Sequence, residues 1–159
     1  KELNVSNNLL EALPKRLGDL RCLRKLECAH NQISEIPEEI GKCYMLEDLI
    51  AHNNALLSFP SSVVGCAALN VCDLRNNHLT KVPCELGSLV AMRGLYLEGN
   101  EQMSAQVPPY CLPDSSQCIF ILKMEYEFRE ELQDLRAVNL ELEYKVRERE
   151  EYNLRIGDE

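Results

Sequence analysis

Asparagine recurs in this chain at a fixed step. Asn8, Asn31, Asn54, Asn77 and Asn100 are each 23 residues apart. Pro14, Pro37, Pro60 and Pro83 keep the same step. Ahead of each asparagine stand apolar residues at matching places, as in Leu23, Leu26, Cys28, Asn31, Ile33 and again in Leu69, Cys72, Leu74, Asn77, Leu79. A fixed period of this length allows few folds: each unit is one supersecondary element that cannot bury its own apolar face, so neighbours must stack.

The register assigns roles within a unit. The alternating pairs Leu26 and Cys28, Leu49 and Ala51, Cys72 and Leu74, and Leu95 and Leu97 place both members on one side of a short strand, facing inward. The asparagine amide donates and accepts, so at the following bend it can satisfy backbone groups that the turn releases. Stacked, the five asparagines form a ladder. The return segment reads Leu13-Pro14 to Leu20, Ile36-Pro37 to Gly41 and Val82-Pro83 to Leu89. Proline presets φ where a short helical turn begins, and glycine suits its end. The third unit departs, with Val64-Gly65 where the others hold glycine one residue earlier.

This spacing is the signature of leucine-rich repeats. The expected fold is an α/β solenoid of about 4–5 coils of 23 residues, with short parallel strands on the concave face and a long C-terminal α-helix after it. The wording of the units resembles intracellular leucine-rich repeat proteins of the Ras-suppressor and Scribble type. That resemblance implies a curved solenoid that binds other proteins without catalysis of its own.

Net charge is −9, and lysine and arginine do not cluster, so nucleic acid is not an expected partner. No apolar run approaches the ~18–20 residues that span a bilayer, so no membrane association is expected. The chain enters its first repeat almost at the strand (Leu3, Val5, Asn8), with no polar cap before it. A longer protein or a covering partner is the expectation at that end.

There are 8 cysteines and no Cys-x-x-Cys pair. Cys28 and Cys72 fall on inward strand positions, and Cys43 and Cys66 align with Leu20 and Leu89. A buried free cysteine behaves as a small hydrophobe. Free thiols point to a reducing, cytoplasmic setting rather than a disulfide or zinc framework.

The pattern breaks after Asn100. Residues 101–116 read as a degenerate last coil and connector, with Pro108, Pro109 and Pro113 ahead of Asp114-Ser115-Ser116. Residues 1–116 therefore form the solenoid and 117–159 a helix. In the helix Met124, Phe128, Leu132, Leu135, Val138, Leu142 and Val146 follow at steps of three and four. Its length is on the order of 55 Å. Ile119, Phe120, Ile121, Leu122, Met124 and Phe128 are expected to cover the open core of the last coil. The later part carries Glu141 with Lys145 and other charge pairs. A heptad through Ile121, Phe128, Leu135, Leu142 and Ile156 is interrupted by Glu131, Lys145 and Arg149. Both a coiled coil and a single charged helix remain open.

No phosphate-binding glycine loop, zinc-protease or nucleophile-elbow pattern occurs, so no enzyme, cofactor or small-molecule substrate is expected. His30 and His52, with Asp73 nearby, could sketch a metal site. The plainer reading, histidines within a binding face, is preferred, and no metal is expected. Solenoids bind along the concave face. Its columns by register are Asn4, Glu27, Ile50, Asp73, Tyr96; then Ser6, Ala29, His52, Arg75, Glu98; then Asn7, His30, Asn53, Asn76, Gly99. The candidate protein-binding residues are Glu27, His30, Ile50, His52, Asp73, Arg75, Tyr96 and Glu98, with Tyr96 and Ile50 as apolar anchors.

The expected function is a non-enzymatic interaction scaffold. The concave face grips a protein and the helix reaches a second element, as a structural part of a large cytoskeletal, ciliary or similar assembly. A regulatory adaptor in small-GTPase-type signalling is the alternative within this class. The interaction domain of a larger enzyme is the alternative outside it.

Overall fold

The computed structural model describes residues 1–105 and 114–157. Five short strands form one parallel sheet in chain order: β1 (Glu2–Asn4), β2 (Lys25–Glu27), β3 (Asp48–Ile50), β4 (Val71–Asp73) and β5 (Gly94–Tyr96). Leu3 pairs with Leu26, Leu26 with Leu49, Leu49 with Cys72, and Cys72 with Leu95, so the register is the repeat itself. From the second coil onward these residues and their inward mates Cys28, Ala51, Leu74 and Leu97 are fully buried. The core is a column of equivalent positions that each coil shares with the next.

Each coil returns through a 3-10 turn: Lys15–Asp19, Glu38–Lys42, Ser61–Gly65, Cys84–Ser88 and Glu101–Ala105. Pro14, Pro37, Pro60 and Pro83 precede the first four, with φ between −60° and −72°. Their missing N–H costs nothing at a helix start. The fifth turn follows Asn100 directly and buries Met103. It is shorter in its approach than the other coils, and Val107, Pro108, Pro109 and Pro113 lie outside the described residues.

The glycines of these turns have a different cause from the one expected. Among the described residues only Gly99 is a glycine with positive φ, so Gly18 and Gly41 are not left-handed helix ends. A Cβ on Gly18 would run into the carbonyl oxygen of Glu39, and one on Gly41 into that of Ser62. Glycine is required because neighbouring coils touch backbone to backbone. In the third coil Val64 holds this place and its side chain is exposed, while Gly65 abuts the Gly41 carbonyl instead.

Cys28, Cys43, Cys66, Cys72, Cys84 and Cys118 are buried free thiols, and Cys22 is exposed. Some of them do more than fill space. The Cys43 thiol donates to the Leu17 carbonyl at 3.5 Å, and the Cys66 thiol to the Ile40 carbonyl at 3.2 Å. Both bonds reach one coil back. Burial pushes the Cys28 and Cys66 thiols up to about 12.

Helix α1 (Ser115–Gly157, 43 residues) begins two residues before Gln117. The Asp114 carboxylate accepts from the backbone N–H of Ser116 at 2.9 Å and of Gln117 at 3.2 Å, which makes it the N-cap. The expected cover of the last coil is corrected in its membership. Cys118 and Leu122 are fully buried in the repeat core, with Ile119 and Ile121 packed beside them. Phe120, Met124 and Phe128 are exposed. Density of apolar residues marked the segment, but the helix turns only part of that run toward the coil. A Cβ on Gly87 would collide with the backbone of Leu122 and Lys123, so the start of α1 lies directly against the fourth turn. By contacts the chain divides into two compact units, Lys1–Tyr126 and Glu127–Glu159.

Candidate protein-binding face

The asparagine ladder fixes the edge from which the concave face is presented. Asn77 Nδ2 donates to Ala51 O at 3.1 Å and to Leu74 O at 3.0 Å, while its Oδ1 accepts from Leu56 N at 3.0 Å. Asn54 does the same for Cys28 O, Ala51 O and Ile33 N. Asn100 serves Leu74 O, Leu97 O and Leu79 N, and Asn31 serves Val5 O, Cys28 O and Leu10 N. Each carbonyl between two rungs, such as Ala51 O, accepts from both asparagines, whereas each N–H depends on one. Asn8 is exposed and bonds only to Val5 O and Ser6 O within its own coil.

Immediately before each ladder residue stands a second column, and the structure gives it a backbone role. Asn7, His30, Asn53, Asn76 and Gly99 all have φ between +52° and +77°. That left-handed conformation is tolerated by glycine and, among the others, best by Asn, Asp and His. His30 is therefore placed by backbone geometry as well as by any surface role. The side chains of this column continue one another: Asn76 Nδ2 donates to Asn53 Oδ1 at 3.1 Å, and Asn53 Nδ2 lies 3.5 Å from His30 Nε2 and, across to the next column, 2.6 Å from His52 Nδ1. The His30 and His52 rings meet edge to face with centroids 5.0 Å apart. Among the described residues no group of His, Cys, Asp and Glu is arranged to hold a metal ion.

On the sheet itself Ile50 is half-buried and Tyr96 is 38% exposed, both facing outward as the alternation requires. Asp73 differs from its column mates. It is 5% exposed and held by Arg75, whose Nε and Nη2 donate to Oδ1 at 3.0 Å and Oδ2 at 2.7 Å. Arg75 then lies over the Tyr96 ring, 5.4 Å from its centroid. Asp73 thus positions Arg75, which holds Tyr96. Ala29 is buried rather than presented, being too small to reach past its neighbours. At the other end Glu27 is engaged by Asn4 and by Lys25 at 2.6 Å. Glu98 is exposed.

One column escaped the sequence reading: Glu2, Lys25, Asp48, Val71 and Gly94, paired in register as the first residues of the strands. They stand two residues before the central column and so share its face. That alternation was the available signal. Val71 is half-buried there, and the Tyr96 ring folds back over Gly94, where a Cβ would lie 3.1 Å from it. Toward the later coils this face carries three apolar residues on successive strands, Ile50, Val71 and Tyr96, with Asp73 in register between Ile50 and Tyr96.

The architecture is that of a leucine-rich repeat solenoid followed by a long helix. The leucine-rich repeat model matches residues 22–43. Among solved structures the chain is similar to a leucine-rich repeat protein of Leptospira interrogans, at 33% identity and TM-score 0.59, over 61% of this chain and 25% of that one. It also shares the fold of an internalin from Listeria monocytogenes, at 24% identity and TM-score 0.55, over 65% of this chain and 33% of that one. The chain thus spans a quarter to a third of the length of these two. No curated protein matches it. Leucine-rich repeat proteins generally mediate protein–protein interaction.

Proposed function

We propose that this protein is a non-enzymatic interaction scaffold that grips a protein partner on the concave sheet face. The observation that carries the reading is Tyr96, an outward aromatic held under Arg75 and over Gly94, with Val71 on the next strand and Ile50 on the one beyond. A pre-ordered aromatic loses little entropy on binding and suits a central anchor. Helix α1 supplies a second contact, which fits a structural component of a larger assembly, cytoskeletal or ciliary. The six thiols buried among the described residues favour the reducing cytoplasm as its location. The return wording Leu-Pro-x-x-Leu-Gly supports kinship with Ras-suppressor- and Scribble-type scaffolds, for which an adaptor role is the alternative.

The test is affinity capture from native extract with the full chain and with an Ile50→Ala/Tyr96→Ala variant. The variant should lose the main partner while its melting temperature stays close to the parent's, because both side chains face outward. Equal recovery of every partner would refute the concave-face reading.

A further inference from the structure

Among the described residues every side chain from Glu127 to Glu148 is exposed. That segment is helical throughout. Phe128 (62% exposed), Leu135 (61%) and Leu142 (53%) recur every seven residues. Leu132, Asn139 and Val146 fall between them at the same interval. The steps from Phe128 to Val146 are therefore four, three, four, three and four, the alternation of a two-stranded coiled-coil seam. Glu131 and Lys145 interrupt a seam drawn through Met124 and Val138. In the seam through Leu132 and Val146 they move to its flanks, where charge belongs.

We infer that this segment of α1 pairs with the same segment of a second copy of the chain, as a parallel, in-register two-helix coil. The inference rests on reading α1 as an assembly contact, and it names the partner. Self-complementary charge identifies that partner. In a parallel pair the flanking residue before one seam position lies opposite the residue five further on in the other helix. Glu131 then faces Arg136 of the second copy, and symmetry makes the bond twice. In an antiparallel pair Glu131 would face Lys145, and Arg129 would face Glu143. Either direction suits a second copy.

Asn139 selects the direction. In the parallel register it shares a layer with Asn139 of the second copy, and the two amides can bond to each other. In the antiparallel register it would sit against Leu135, with its amide unmatched among apolar side chains, and Arg136 would meet its own mate. A single polar asparagine at such a seam position is a known means of fixing register and number of strands, at some loss of stability. The clean seam covers fewer than the three or four heptads of a long coiled coil. The dimer is accordingly dissociable and depends on protein concentration.

Sedimentation equilibrium on the full chain, over about 1–100 μM, reads the association. The mass should rise from 18.2 kDa toward twice that value. A Leu135→Asp/Leu142→Asp variant should self-associate at least ~10-fold more weakly with an unchanged repeat melting temperature, since both positions are exposed. The Ile50→Ala/Tyr96→Ala variant should dimerise like the parent, so this inference and the concave-face reading fail separately. A parent chain that stays monomeric, or a double-aspartate variant that dimerises equally, overturns the proposal. Direction is read with Leu135→Cys in a chain that also carries Cys22→Ser and Cys111→Ser. Ready oxidation to a linked dimer supports the parallel register, and a dimer that does not link overturns it.

Discussion

Replacing Asn77 by alanine tests the ladder at its centre. The substitution removes four bonds at 3.0–3.2 Å, but their loss is unequal in effect. Arg75 O retains the backbone N–H of Asn53 at 2.9 Å. Ala51 O retains Asn54 Nδ2 at 3.1 Å, and Leu74 O retains Asn100 Nδ2 at 2.9 Å. The stranded group is the N–H of Leu56, a residue with no exposed surface. One buried, unmatched donor costs about 1–3 kcal/mol. The small cavity left by the amide adds to that, so about 2–4 kcal/mol in all is expected. Asn8→Ala should cost under about 1 kcal/mol, because Asn8 is exposed and Val5 O keeps Asn31 Nδ2 at 3.0 Å. Urea denaturation reads the difference as a shift of midpoint at constant slope. Amide hydrogen exchange supplies the local signature: Leu56 should lose protection in Asn77→Ala well before the strand amides do. Equal destabilisation by the two substitutions, or an unchanged Leu56 amide, would refute the account of the ladder as a set of singly served donors.

Four further outcomes follow from the packing. Gly87→Ala should lift the start of α1 from the fourth turn and expose Cys118 and Leu122, detected as gained reactivity of the Cys118 thiol; an unchanged rate would mean that α1 docks elsewhere. Folded protein at pH 8 should leave Cys28, Cys43, Cys66 and Cys72 unreactive toward a thiol reagent that modifies all four once the chain is denatured. Because burial raises Cys28 and Cys66 from 9.0 to about 12, the unfolded chain ionises first as pH rises. Stability from these thiols is therefore complete below about pH 9 and falls progressively toward pH 12, in a denaturation series that Cys66→Ala should flatten. Asp73→Asn should leave the fold intact but free Arg75 from its bidentate bond, loosening Tyr96 and weakening concave-face binding several-fold; undiminished binding would show that the ring is held by something else.

The repeat period by itself determined the solenoid, the strand register and the inward pairs, because a unit that cannot bury its own face leaves one way to stack. It likewise determined which asparagines form the ladder and that Tyr96 and Ile50 face outward, since strand alternation has only two sides. Tertiary structure decided the rest. Gly18 and Gly41 answer to the carbonyls of the following coil, which no local pattern reveals. The column from Asn7 to Gly99 owes its composition to left-handed backbone, visible only when the five positions are seen to share one φ. Asp73 reads as a surface carboxylate until Arg75 is found lying on it. The run from Cys118 to Leu122 is uniformly apolar in sequence, so burial of Cys118 and Leu122 with exposure of Phe120 depended on the angle at which the start of the helix meets the fourth turn. Side-chain alternation is a property of the chain alone, whereas close approach between coils is a property of two segments at once, and only their contact shows it.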